Sequence, residues 1–244
     1  MKIGITERGD AGLDFSWVNK LDTVDGAIII SKHLSDNLIK KLVANQKKII
    51  FHCTCTGFGD TVLEPNVLDV DWTHAQLFKL IDEGFDPNHI VLRIDTIIPT
   101  EKGIAAFEKA SLLAPCKIER RRISVLDMYP HVRKRFVAAG LPLPYGDRFA
   151  PTDKHVALVN ESLERMYATQ FEACAEQGLK SSANNLQHMG CVSEKDLQIL
   201  GLLVPDKAET GKQRNGCMCL NCKTELLTEK HPCYNSYLYC YWKD

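Results

Sequence analysis

Short apolar runs alternate with amphipathic stretches over most of this chain, and that alternation limits the fold more than any single motif. KIGIT (2–6), DGAIIIS (25–31), KKIIFHCTC (47–55), HIVLRIDTII (89–98) and the IERRRISVL run (118–126) are each β-branched or continuously apolar over the length of a buried strand. The intervening stretches 34–45, 73–84, 102–114 and 128–139 read as helices. In the first of them Leu38, Ile39, Leu42 and Val43 form one apolar face. Val156, Val159, Leu163, Met166, Phe171 and Cys174 recur at helical spacing and predict a long helix over 153–177, which Gly178 is placed to end. LKSSANN (179–185) then reads as a sixth, weaker strand. This order predicts an α/β fold, a partial or full parallel β/α (TIM-like) barrel. The first strand lacks a G-x-G-x-x-G turn, so no dinucleotide fingerprint favours an open doubly wound sheet.

In such a barrel the functional groups gather where strands end. Those ends carry Thr6, Glu7, Arg8 and Asp10, then His52, Thr54 and Thr56, Arg93 and Asp95, Ser124 and Asp127, and Asn184 and Asn185. Alternation puts Arg93 and Asp95 on one face, to hold a polar ligand or to form a buried structural ion pair. Glu64, in the string LEPN, is held extended by Pro65 and has a fixed direction, toward a metal, a ribose or an amine, unless it sits in a solvated turn. His52 is either an acid–base group or a satisfied core histidine. The basic run from Lys117 to Arg135 reads as a phosphate-binding patch or as a solvated face.

The net charge of -1 over 244 residues argues against a general nucleic-acid coat protein and leaves room for a local basic groove. No apolar run approaches about 18 residues, so no membrane span is expected. The start MKIGITERGD does not read as an export signal, and the expected location is cytoplasmic. From about residue 205 the composition turns polar and cysteine-rich. This predicts a barrel domain over 1–204 and a metal- or iron–sulfur-binding tail over 205–244. Cys217, Cys219, Cys222, Cys233 and Cys240 make up half of the ten cysteines, and in a reducing compartment such a cluster favours metal ligation. Five thiols exceed the four that close a tetrahedral zinc site or a fully capped cluster. The scattered Cys53, Cys55, Cys116, Cys174 and Cys191 read as ordinary buried thiols.

The ending CYNSYLYCYW resembles the C-x-x-x-C-x-x-C element of radical S-adenosylmethionine (SAM) enzymes, with the aromatic pattern of spore photoproduct lyase relatives. Cys233 and Cys240 match its outer thiols, and Tyr237 stands where the middle one belongs. TGFGDTVLEPNV (56–67), VLRIDTIIPTEK (91–102), ISVLDMY (123–129) and PDK…KQRNGCMC (205–219) are similar, in order, to an uncharacterised bacterial and phage family with a C-terminal cysteine cluster. Its members are labelled radical-SAM-like or DNA repair photolyase-like. The resemblance implies a β/α barrel with a [4Fe–4S] cluster at its mouth, Tyr239 near the adenine of SAM, and Cys222 as a replacement for the missing thiol. It strengthens Glu64 as a cofactor contact beside Arg93 and Asp95, whose shared strand face offers them as contacts, and the labels of relatives imply nucleic acid or a nucleotide as the substrate class. Lys207, Gln213 and Arg214, leading into the tail, either meet anionic parts of a cofactor or belong to an ordinary linker. The alternative is a non-catalytic barrel whose tail binds a structural Zn2+ and which serves as a nucleic-acid or protein-binding module.

Overall fold

The computed structural model describes residues 1–204, 210–211, 216–229 and 234–242. Eight strands form one sheet: β1 Ile3–Ile5, β2 Gly26–Ser31, β3 Ile49–Thr54, β4 Ile90–Ile97, β5 Arg120–Val125, β6 Phe171–Ala173, β7 Leu186–His188 and β8 Lys223–Glu225. Every pairing is parallel, in the order β7-β6-β5-β4-β3-β2-β1-β8. Parallel neighbours need crossover connections. Here α1 Asp36–Ala44, α2 Val70–Asp82, α3 Glu101–Leu112, α4 Pro130–Ala138 and α5 Asp153–Arg165 supply them. Side-chain oxygens of Ser35, Asp69 and Thr100 accept a backbone N–H at the starts of α1, α2 and α3 and satisfy donors that a helix leaves open.

Strand alternation divides the core in two. Ala27, Ile29, Phe51, Cys53, Leu92, Ile94, Ile123, Phe171 and Ala173 face the helices and pack with Leu38, Leu42, Leu77, Phe107 and Leu163. Ile3, Ile5, Ile28, Ile30, Ile50 and Val91 face the other way, against Val192, Leu197 and Leu220. A short helix, α6 Glu194–Ile199, lies on this second side, its start closed by reciprocal hydrogen bonds between Ser193 and Asp196.

The first five strands and four helices lie within a few residues of the expected positions, because their periods run long enough to read. The region after α5 differs. The helix expected over 153–177 stops at Arg165, and Phe171 begins a strand. Phe171 and Cys174 imitate helical spacing, yet Phe171 and Ala173 face the helix-side core while Glu172 points to the opposite face. A three-residue strand is too short to show a period. The stretch 179–185 is the connection into β7, not a strand. The Asn185 carboxamide donates to the carbonyls of Leu163, Met166 and Thr169, each at 3.0 Å, and closes the turn out of α5. Asn184 and Asn185 therefore precede a strand, at the end away from the expected mouth. β8 falls within the expected tail and pairs with β1, so the cysteine-rich segment contributes an edge strand to the sheet.

Candidate metal centre

On the second face, β3 to β6 present polar side chains in register. Thr54 stands beside Arg93, Arg93 beside Arg122, and Arg122 beside Glu172. Arg120 makes two hydrogen bonds to Glu172, at 2.8 and 3.2 Å, and one of 2.8 Å to Asp196 of α6. Arg122 pairs with the same Glu172 and donates to the Cys191 carbonyl at 3.0 Å. Arg122 and Arg120 lower the Glu172 carboxyl to about 2 against the opposing effect of burial. Arg93 pairs with Asp95 and is raised above its ordinary value: burial opposes, and Asp95 leads the groups that favour the charge.

This ion-pair network positions the loop that follows β7. There Cys191 meets Cys174, which follows β6 directly, with the sulfurs 3.4 Å apart. Cys219 comes from the segment leading into β8, and the Cys191 N–H donates to its sulfur at 3.1 Å. The three sulfurs all lie within 4.8 Å of one another. A Cβ on Gly190 would stand 2.4 Å from the Cys219 Cα, so glycine at that position is what lets the two backbones touch. The Leu220 N–H donates to the Val192 carbonyl at 3.0 Å and ties the same two segments together.

Hydrogen bonding with Cys174 and Cys219, assisted by Arg93 and Arg122, holds the Cys191 thiol well below its ordinary value despite burial. The same hydrogen bonds raise Cys174. A thiolate is the metal-binding form of cysteine, and this environment favours one before any metal arrives. His52 lies on the same face as Ile50 by alternation. It is fully buried, and neither ring nitrogen has a partner among the described residues. Burial, then the charges of Arg122 and Arg93, hold it well below its ordinary value, so it is a neutral imidazole.

A second cluster sits over the ends of β1 to β3. The Lys32 ammonium is 2.6 Å from Glu64 and 2.9 Å from the Tyr239 hydroxyl, and that hydroxyl donates to Glu64. The rings of Tyr237 and Tyr239 lie 4.9 and 5.4 Å from the ammonium. Asp10 accepts from Gly12 N–H, Ser31 Oγ, Lys32 N–H and Asn235 Nδ2. Arg135 donates to the carbonyls of Cys240 and Trp242. The C-terminal segment is thereby strapped across the strand ends.

The expected site residues thus fall into several groups. Of the five tail cysteines, Cys219 joins the three-thiol group. Cys217, Cys222 and Cys240 are not members of it, and Cys233 lies outside the described residues, as do Lys207 and Arg214. Glu64 and Tyr239 come together, buried, with Lys32 between them. Arg93 and Asp95 pair with each other. Cys174 and Cys191, read from sequence as ordinary buried thiols, are partners of Cys219. The readable signal was their position just past strands, obscured because those strands are so short. Cys53 and Cys55 keep the ordinary reading: burial pushes both up, Cys55 to about 12, while Cys116 is exposed.

The expected phosphate-binding patch is taken apart by the fold. Arg120 and Arg122 face Glu172 and Asp196, and Arg121 donates to the carbonyls of Ser111 and Ile118. Arg133 pairs with Asp147, and Arg135 holds the C-terminal strap. Successive residues of a strand point to opposite sides, so three adjacent arginines cannot form one surface. No described helix is long and apolar enough to cross a membrane.

Fold and site together define an α/β protein with a parallel eight-stranded sheet and a three-cysteine group able to hold a metal ion. The chain belongs to a family described as a domain of unknown function (DUF1848), whose model matches residues 16–242. No curated protein and no solved structure matches it.

Proposed function

We propose that this chain is a metalloprotein whose centre is bound by the thiolates of Cys174, Cys191 and Cys219. The convergence of three thiols from three separate segments carries this reading. Three like-charged thiolates side by side repel one another unless a cation lies among them. Among the described residues the group supplies three ligands, the number that a catalytic zinc site uses beside one exchangeable position, whereas structural sites are closed by four. The sulfur spacing favours a single ion of the zinc type. Tetrahedral ligands about 2.3 Å from one ion stand about 3.8 Å apart, comparable to the separations here. Thiolates of a [4Fe–4S] cluster bind different irons and stand farther apart.

The strand order supports a finer reading of the fold. β1 to β7 follow one another around the sheet and β8 lies beside β1, the sequence of strands in a β/α barrel. We read the junction of β7 and β8 as its seam, bridged by the Leu220–Val192 hydrogen bond and by the cysteines.

The second reading is a radical-SAM-like iron–sulfur protein acting on nucleotides or nucleic acid. It is favoured by the resemblance of the C-terminal ending and by a group of three thiols, which would leave one iron free for SAM. Against it stands Tyr237, whose ring faces Lys32 instead of offering a ligand. Anaerobic purification with metal analysis and absorption spectroscopy separates the two. Zinc in a colourless protein at one ion per chain supports the single-ion centre. Brown colour with stoichiometric iron and sulfide replaces it with the cluster, and metal-free protein that takes up neither sinks both.

A further inference from the structure

The three sulfurs are not equivalent. Cys174 and Cys191 face each other at 3.4 Å, while Cys219 Sγ takes the backbone N–H of Cys191. A disulfide has its sulfurs about 2.05 Å apart and its Cα atoms about 4.4–6.8 Å apart. β6 and β7 are paired neighbours, with Ala173 opposite His188, and the Met189 N–H donates to the Ala173 carbonyl at 3.0 Å. Cys174 follows that pairing directly, and Cys191 lies two residues beyond Met189. The sulfurs, 3.4 Å apart, must close by about 1.4 Å to bond. Cys191 is partly exposed and its carbonyl accepts from Arg122 at 3.0 Å, whereas Cys174 is buried.

We propose that Cys174 and Cys191 are a redox modification site that takes a peroxide as its oxidant and closes to an intramolecular disulfide. The Cys191 thiolate attacks one peroxide oxygen, the O–O bond breaks, and a sulfenic acid forms with release of hydroxide. The Cys174 sulfur then attacks the sulfenic sulfur. The S–O bond breaks, an S–S bond forms, and the Cys174 proton ends up in water. In sum, two thiols and one hydrogen peroxide give one disulfide and two waters; the sulfurs lose two electrons and the peroxide gains them. A disulfide sulfur is no longer a thiolate ligand, so the reaction leaves Cys219 alone and empties the centre. This regulation rests on the metal reading of the same three residues.

The test treats purified full-length protein with hydrogen peroxide, once as isolated and once after chelation, and follows thiol titration, peptide mapping and metal release. The expected result is loss of two titratable thiols per chain, a Cys174–Cys191 crosslink, and release of bound metal in step with it. Cys219→Ser should still form the crosslink, and Cys174→Ser should leave Cys191 as the sulfenic acid or joined to Cys219, whose sulfur lies within 4.8 Å. Absence of the crosslink in chelated wild-type protein, or oxidation spread evenly over the cysteines, overturns the modification site whatever the metal content. A crosslink that forms in protein binding no metal at all leaves the site standing and removes the metal reading instead. Crosslinking that leaves bound metal in place overturns the regulatory coupling. Because wild-type protein carries the decisive measurement, a variant that fails to fold does not obscure it.

Discussion

Two buried polar clusters lie on this sheet, and they are built on opposite principles. Over β1 to β3, Lys32 meets Glu64, Asp10 meets Asn235, and Tyr239 completes the set. Opposite charges face each other, and hydrogen bonds of Asn235 and Tyr239 tie the C-terminal strap to the sheet. Beside β6 and β7, Cys174, Cys191 and Cys219 meet groups of their own kind, and their ionised forms repel. In the first cluster the charges of Lys32 and Glu64 are neutralised by the protein's own residues. The second, on the metal reading proposed above, is neutralised by a bound cation. Burial alone therefore does not distinguish a functional set from a structural one. The difference is whether the members neutralise one another.

The largest effect should come from the thiol group. Cys191→Ser should reduce bound metal to below roughly a tenth of wild type, whereas Cys222→Ser should leave it unchanged, as read by metal analysis. Equal losses in both variants would dissolve the distinction between the three-thiol group and the other cysteines.

Next comes the network that positions the cysteine loop. Glu172→Gln leaves the buried Arg122 with a neutral partner and Arg120 with Asp196 alone, and should destabilise the fold by about 3–5 kcal/mol in urea titration. The Glu172 carboxyl has its folded value depressed to about 2. Its contribution is therefore fully present above the ordinary carboxylate range and is lost as pH falls from about 4.5 toward 2. That amounts to on the order of 3 kcal/mol. Stability of the wild type that stays flat across this window would contradict the assignment.

A smaller effect is expected at the strap. Tyr239→Phe removes the hydroxyl shared by Lys32 and Glu64 and should cost about 1–3 kcal/mol. Amide exchange in residues 234–242 should quicken, and metal content should stay the same. Loss of metal in this variant would join the two clusters into one site. The smallest effect belongs to the exposed pair of Lys109 and Asp71, 3.0 Å apart. Lys109→Ala should change stability by no more than about 0.5 kcal/mol, which gives a surface yardstick for the buried networks.

Residues 2–6 through 128–139 were legible because each element there is long enough to show its period, and because strands buried on both faces of a parallel sheet read as continuous apolar runs. The same alternation put Arg93 and Asp95 on one face in advance, and the density of cysteines beyond residue 216 pointed to metal chemistry. What remained hidden was the choice of partners. Cys191 lies 17 positions from Cys174 and 28 from Cys219. Three-residue strands bring them together, through the touch of Gly190 on Met218 and Cys219 and through an arginine network that faces inward. Lys32 gives no sign in sequence that it will meet Glu64 and Tyr239. Local pattern determines which segments become strands and helices, because it acts through neighbours along the chain. Which thiols share a centre depends on strand order and register, and those exist only once distant segments have packed.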